Sequence, residues 1–317
     1  MANFGFIPVS LSTLYPTDGL GLDLYIRPQG YERPVLFSSG APLQQQDLSR
    51  LEETGITKIY IRRESRPLYQ EFLREHLDSW LNDAALPLST RAAALNEVVR
   101  DTIGESFKSG KADAIVGAAL RLGQCAARLL VGERVPFAHF ARYLHHDHAS
   151  STHAANVCYY AVLLAAETGF CEADQAQIAA GALLHDLGML EIDDRILTKD
   201  GRLEETESRQ IRLHPANGFS RLCRRTDLSV GQLMMVYQHH ERLDGSGYPV
   251  GIDGGEIHPW AKICAVVDVF AALTSHRPYR RALAHQKALE IMCRDGRTFD
   301  LELVRCWESL VGGLTRG

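Results

Sequence analysis

The 317-residue sequence lacks most of what marks a membrane, secreted or nucleic-acid-binding chain. No run approaches the roughly 18 apolar residues of a membrane span. The most apolar stretch, Ile263–Leu273, carries Asp268 in its middle. The opening Met1-Ala2-Asn3-Phe4-Gly5-Phe6-Ile7-Pro8 lacks the basic-then-apolar layout of a secretion signal. The 7 cysteines are scattered, contain no Cys-x-x-Cys pair and sit mostly among apolar neighbours. They read as buried reduced thiols rather than disulfides or zinc ligands. A formal net charge of −5 gives no basic footprint for nucleic acid or an anionic membrane. These absences, with 45% apolar and 23% charged residues, lead us to expect a cytoplasmic globular chain with no membrane span and no nucleic-acid partner.

What the chain does have is histidine, unevenly placed. Of 13 histidines only His76 lies in the first 138 residues, and the others fall between His139 and His285. Imidazole is the commonest metal ligand and a frequent acid–base group, so the second half is where chemistry is expected. The first eighty residues mix short β-rich runs at Leu22–Ile26, Val35–Phe37 and Lys58–Ile61 with helical patterns at Leu43–Thr54 and Pro67–Asp83. On the second helix Tyr69, Phe72, Leu73, Leu77, Trp80 and Leu81 form one stripe. No Gly-rich phosphate loop accompanies them. Residues 89–132 are helical in pattern with a break at Gly110, and suit either intramolecular packing or a homodimer contact. Beyond them the pattern predicts helices at 152–167, 173–187, 204–213, 216–224, 227–240, 259–275, 284–294 and 300–311. We therefore expect three parts: a small α/β module over 1–85, a helical connector over 86–135 and an all-α domain over 136–317, α+β overall.

Metal-type ligands recur through the helical half. His153 opens a predicted helix on the stripe of Val157, Tyr160 and Leu164, and His185-Asp186 closes the next. His214 precedes Pro215 at a helix junction, and His239-His240 ends another helix. Asp268 lies within a helix that is apolar on nearly all sides. An unpaired carboxylate buried there is expensive, and coordination of a cation removes that cost. Five imidazoles and two carboxylates suit two divalent transition metals with open positions. Taken singly, each residue has a plainer reading: a hydrogen-bonded core histidine, or, for Asp268, a helix cap or a partner of Arg277. The run His145-His146-Asp147-His148 points its side chains in different directions and is a weak metal candidate. His258, His276 and His285 read as solvated, Arg221, Arg224 and Arg225 as a wet helix face, and Met234, Met235 and Trp307 as core.

The order of these segments carries more than any one of them. His185-Asp186-Leu187-Gly188 is followed by Ile196-Leu197-Thr198-Lys199-Asp200-Gly201-Arg202-Leu203, then by His214-Pro215 with Gly218. Next come His239-His240-Glu241-Arg242-Leu243-Asp244-Gly245-Ser246-Gly247-Tyr248-Pro249, Asp268, Arg277-Pro278-Tyr279-Arg280 and Thr298-Phe299-Asp300. Over roughly 145–312 this run resembles the HD-GYP family. The resemblance implies an all-helical HD-type domain that hydrolyses cyclic di-GMP to pGpG, GMP or both with iron or manganese. It implies one metal held by His153, His185, Asp186 and Asp268, and a second held by Asp186, His214, His239 and His240. Asp186 bridges the two and acts with His185 in catalysis. Tyr248 would border the guanine nucleotide, and Arg277, Arg280 and Lys199 would meet its phosphates.

The same resemblance implies signalling partners, such as a diguanylate cyclase, at the Gly247-Tyr248-Pro249 loop. Residues 1–85 look similar to a regulatory module found ahead of such domains. Three positions depart from the family pattern: Met189 stands for a lysine, Ala271 for an aspartate and Ala149 for a glutamate that holds a third metal. The last implies two metals rather than three. The loss of the lysine implies a slower reaction or, at the extreme, a domain that binds cyclic di-GMP and signals without turnover.

Overall fold

The computed structural model describes residues 5–14, 20–28, 30–41, 43–133, 135, 137–141, 144, 150–199, 201–276, 281–294 and 296–312. The chain divides into two compact units, Met1–Val98 and Val99–Gly317, with the division inside one helix, α3 (Leu88–Ser109).

In the first unit, strands β1 (Phe6–Ser10), β2 (Leu24–Ile26), β3 (Val35–Ser38) and β4 (Lys58–Arg62) form an antiparallel sheet in the order β1-β4-β2-β3. Helices α1 (Gln45–Glu53) and α2 (Arg66–Asn82) complete it. The β4 pattern is the alternation of a half-buried strand: Ile59 and Ile61 are fully buried while Lys58 and Arg62 face out. The buried face of α2 is the predicted stripe, except that Phe72 stays half-exposed. Strand β1 is absent from the sequence-based expectation. It contains Pro8, which cannot donate to a ladder, but β1 is an edge strand, where proline is tolerated.

The second unit is helical. It contains α4 (Ala112–Gly132), α5 (Phe137–Phe140), α6 (Ser150–Glu167), α7 (Glu172–Leu184), α8 (Asp194–Leu197), α9 (Glu205–Ile211), α10 (His214–Leu222), α11 (Val230–Gln238), α12 (Pro259–Thr274), α13 (His285–Arg294) and α14 (Leu301–Gly312). Contrary to expectation, α4 is long and apolar enough by length and composition to cross a membrane. Its apolarity comes from alanine, leucine, isoleucine and valine, broken by Asp113, Arg121, Gln124 and Arg128 into runs too short to suggest a span. Ile115, Val116, Leu122, Leu129 and Leu130 are buried, and the helix packs on α7 and α6.

Two predicted helices run too long, and the difference matters. Helix α7 stops at Leu184 and α11 at Gln238, so His185-Asp186 and His239-His240 lie just past helix ends. His185 and His239 keep helical backbone angles as the cap residues, so each ring continues the direction of its helix end. Helix α12 meets the prediction of an all-round buried helix, and its Asp268 is only 6% exposed. Behind it Phe137, Tyr160, Phe270 and Trp307 form one aromatic cluster, with Trp307 5.0 Å from Tyr160 and 5.2 Å from Phe270 between ring centroids.

Other expectations need correction. All cysteines are free, but only Cys125, Cys158 and Cys264 are buried; Cys171 and Cys223 sit at exposed helix ends. His285 packs on Phe137 and Phe270, and the ring of His258 accepts from the Trp260 amide at 3.2 Å. The arginines near 221 are not simply solvated: Arg221 donates to the Gly110 carbonyl at 2.7 Å, and Arg225 pairs with Asp227 and Asp113. Residues 145–149, including Ala149, lie outside the described residues. Trp307→Ala is expected to lower the unfolding free energy by about 3–5 kcal/mol in denaturant titration, because it empties the wall behind Asp268.

Candidate metal centre

The predicted ligands converge on Asp186. Its Oδ2 lies 3.3 Å from His185 Nε2 and 3.9 Å from His153 Nε2, while its Oδ1 lies 3.3 Å from His214 Nε2 and 3.9 Å from His239 Nε2. One carboxylate thus presents an oxygen to each of two imidazole groups. Asp268 joins the first group, with Oδ1 2.9 Å from His153 Nε2 and 4.0 Å from His185 Nε2. His240 joins the second, where its ligand atom comes within 4.8 Å of those of His214 and His239.

Local folding aims the rings. His185 Nδ1 donates to the Ala182 carbonyl at 2.7 Å, His214 Nδ1 to Ile211 at 2.7 Å, and His239 Nδ1 to Met235 at 3.0 Å. Each acceptor belongs to the helical turn just before its histidine. With Nδ1 protonated, Nε2 carries the lone pair and faces the centre, as metal-bound imidazoles require. The segments themselves are pinned by a contact between bare backbones. A Cβ on Gly188 would fall within 1.9 Å of the His214 carbonyl oxygen and 2.6 Å of the Gly218 nitrogen. Only glycine lets the turn carrying Asp186 approach the helix carrying His214.

The electrostatics call for positive charge. Burial works against ionised Asp186 and Asp268, but the facing imidazoles, His185 foremost for Asp186 and His153 for Asp268, outweigh it and hold both carboxyls well below the usual range. Burial also disfavours the His185 proton, yet Asp186 and Asp268 push this ring up to about 9. Burial and neighbouring imidazoles hold His239 far below its ordinary value, and burial foremost takes His240 down to about 3. His214 Nε2 and His239 Nε2 are 3.1 Å apart, and with both Nδ1 atoms donating elsewhere two lone pairs face each other. A cation relieves that repulsion. The donor set fits a divalent metal site.

Glu241 and Arg212 belong to this neighbourhood, although the sequence reading gave neither a role. Glu241 is 2% exposed, and its carboxylate accepts from the amides of Val250 at 2.8 Å, Gly251 at 3.0 Å and Ile252 at 3.3 Å. It ties the 241–252 loop back to the segment that carries His239 and His240. The Tyr248 amide donates to the His240 carbonyl at 3.2 Å, and a Cβ on Gly247 would lie 2.4 Å from the Glu241 Cα. Tyr248 stacks on His240 with 4.6 Å between centroids, and the Arg212 guanidinium lies 5.3 Å from the Tyr248 centroid. Burial, then the charges of Asp268 and Asp186, push the Tyr248 phenol up, so it is a neutral hydroxyl at neutral pH. The signal for Glu241 was its place beside the histidine pair; a loop latch has no sequence period to reveal it.

Lys199 is brought to a different duty. Its ammonium sits 2.7 Å from both carboxylate oxygens of Glu207 and 3.7 Å from Glu204. Met189 is half-buried, with its amide donating to the Asp186 carbonyl at 2.9 Å, and Ala271 is fully buried in α12. Arg277 and Arg280 lie outside the described residues.

A helical unit built around a histidine–aspartate cluster is the architecture of an HD domain, and residues 143–303 match the model of the HD domain family. The chain belongs to that family, and its ordered motifs place it in the HD-GYP group. It is 39% identical over 140 residues to the 3'3'-cGAMP-specific phosphodiesterase 3 of Vibrio cholerae, covering 44% of this chain and 30% of the relative. It is 37% identical over 185 residues to the cyclic di-GMP phosphodiesterase response regulator RpfG of Xanthomonas campestris, covering 57% of this chain and 48% of the relative. A cyclic di-GMP phosphodiesterase of Pseudomonas aeruginosa is 28% identical over 290 residues, 84% of this chain and 68% of that protein. The chain thus spans between about a third and two thirds of these curated relatives. An HDG"Y"P protein from Bdellovibrio bacteriovorus shares the fold, with a TM-score of 0.67, 16% identity and coverage of 97% of this chain and 100% of that one.

Glu241→Gln turns an amide NH2 toward backbone donors. It is expected to cost about 1–3 kcal/mol of stability in chemical denaturation. Unchanged stability would mean that the carboxylate does not latch the loop.

Proposed function

We propose that the chain is a metal-dependent phosphodiesterase that hydrolyses cyclic di-GMP to pGpG, GMP or both. The observation that carries this reading is the Asp186 carboxylate, with one oxygen toward His185 and His153 and the other toward His214 and His239. In this reading His153, His185, Asp186 and Asp268 hold one iron or manganese ion, and Asp186, His214, His239 and His240 hold the second. Divalent ions bound there supply Lewis acidity to a phosphoryl oxygen and to the attacking water. The chain's own residues do the rest. Carbonyl-anchored imidazoles aim Nε2 inward, the Asp186 and Asp268 carboxylates stay ionised, and Tyr248 offers a neutral hydroxyl at the rim. Met189 contributes no charge where a cation would face the scissile phosphate.

The names of the relatives divide between cyclic di-GMP and 3'3'-cGAMP, so both substrates belong in the assay. Several further assignments belong to the same proposal: a cytoplasmic location, the division at 1–85, 86–135 and 136–317, a regulatory role for the first part, and a diguanylate cyclase or other signalling protein at the 247–249 loop. Phosphate contacts from Arg277 and Arg280 belong to it as well. Lys199 keeps such a contact only if its Glu207 pairing opens.

Protein loaded with iron or manganese is expected to convert cyclic di-GMP to pGpG or GMP in a chromatographic assay. Chelation should abolish turnover and lower the melting temperature, since a ligand bound only by the folded state stabilises it. Nucleotide binding without turnover by loaded protein would support a sensor instead. Met189→Lys is expected to raise kcat by about a hundredfold, the low end of what one electrostatic donor supplies. An unchanged kcat would remove the missing cation as the limit on rate.

A further inference from the structure

Resting on the phosphodiesterase reading above, we propose that Arg212 is a substrate-recognition residue that meets a phosphate of the cyclic dinucleotide at the rim beside Tyr248. Arg212 follows directly on α9, and its amide donates to the Ser208 carbonyl at 3.1 Å. The preceding residue, Ile211, supplies the carbonyl that fixes His214. One turn therefore orients a metal-type ligand and launches this side chain. The guanidinium lies over the Tyr248 ring at 5.3 Å, and Tyr248 in turn stacks on His240 at 4.6 Å. Contact thus runs unbroken from the buried imidazoles to an exposed cation.

Three features give that cation a ligand-facing role. First, its position is held without spending its hydrogen bonds. A guanidinium over a ring uses its face, and the in-plane N–H fork stays available for an anion. Second, several other cations of the 195–242 stretch are committed. Lys199 is held by Glu207, Arg209 by Glu205, Arg195 by Asp193 and Arg221 by Glu191 and the Gly110 carbonyl. Arg242 donates to the His239 and Glu241 carbonyls. Arg212 is exposed and makes no ion pair with a carboxylate among the described residues. Third, a cyclic dinucleotide carries two phosphate charges, and an exposed guanidinium at the rim attracts them during approach.

The test is steady-state kinetics and equilibrium binding of cyclic di-GMP with metal-loaded wild type, Arg212→Ala, Arg212→Gln and Arg212→Lys. Loss of a contact made equally in ground and transition states raises KM and spares kcat. Arg212→Ala and Arg212→Gln are expected to raise KM and Kd about tenfold, with a much smaller change in kcat. Arg212→Lys should recover part of the loss, and the dependence of KM on salt should be shallower in Arg212→Ala than in wild type. A KM and Kd within twofold of wild type in both neutral variants would overturn the inference. So would a fall in kcat alone, which would make Arg212 a prop for Tyr248. If the wild type itself neither binds nor cleaves cyclic di-GMP, the functional reading fails and takes this inference with it. Active wild type with indifferent Arg212 variants overturns the inference alone.

Discussion

The second unit is organised around one half-buried carboxylate that must stay ionised. Asp186 can do so because imidazoles surround it, and the rest of the site follows from supplying and aiming those rings. Helices α7 and α11 end where they do so that their last-turn carbonyls receive the Nδ1 protons of His185 and His239. Helix α10 begins at His214 for the same reason, using the carbonyl of Ile211. Helix α12 contributes a second carboxylate to a helix otherwise fit only for burial. The rings of His185, His214 and His239 are held at Nδ1 by backbone, so their direction depends on helix geometry and little on the sequence around them.

Much of this was legible in the residues, and the reasons differ by element. The all-round apolar α12 announced Asp268, since a charge there has few tolerable explanations. The histidine skew located the active half. Helix existence was readable, but helix ends were not: no glycine or proline follows Leu184 or Gln238 directly, so the predicted spans ran on through His185 and His239. Strand β1 was hidden by Pro8, which only an edge position excuses. The α4 helix shows the opposite failure, because polar residues break its hydropathy into runs too short to suggest a span.

The chemistry of the rim was harder to read than that of the floor. Metal-type ligands are few in kind and stand out in sequence. The residues that latch a loop or carry a cation are ordinary glutamates and arginines, distinguished only by where the fold puts them. Lys199 and Arg212 make the point together. Both are basic and flank the same helix, yet one is spent on Glu207 and the other rests on Tyr248 with no carboxylate at hand.

The contact at Gly188 sets how this site can deform. Backbone meets backbone there, with no flexible side chain between, so the spacing from the Asp186 turn to the His214 helix is fixed by hard-core repulsion. Repulsion rises far more steeply than any attraction relaxes, which makes that axis a rigid gauge. On the opposite side the 241–252 loop is held by hydrogen bonds to one carboxylate, a restoring force that is soft by comparison. Deformation of this site is therefore channelled to the loop side, while the spacing from Asp186 to His214 stays constant.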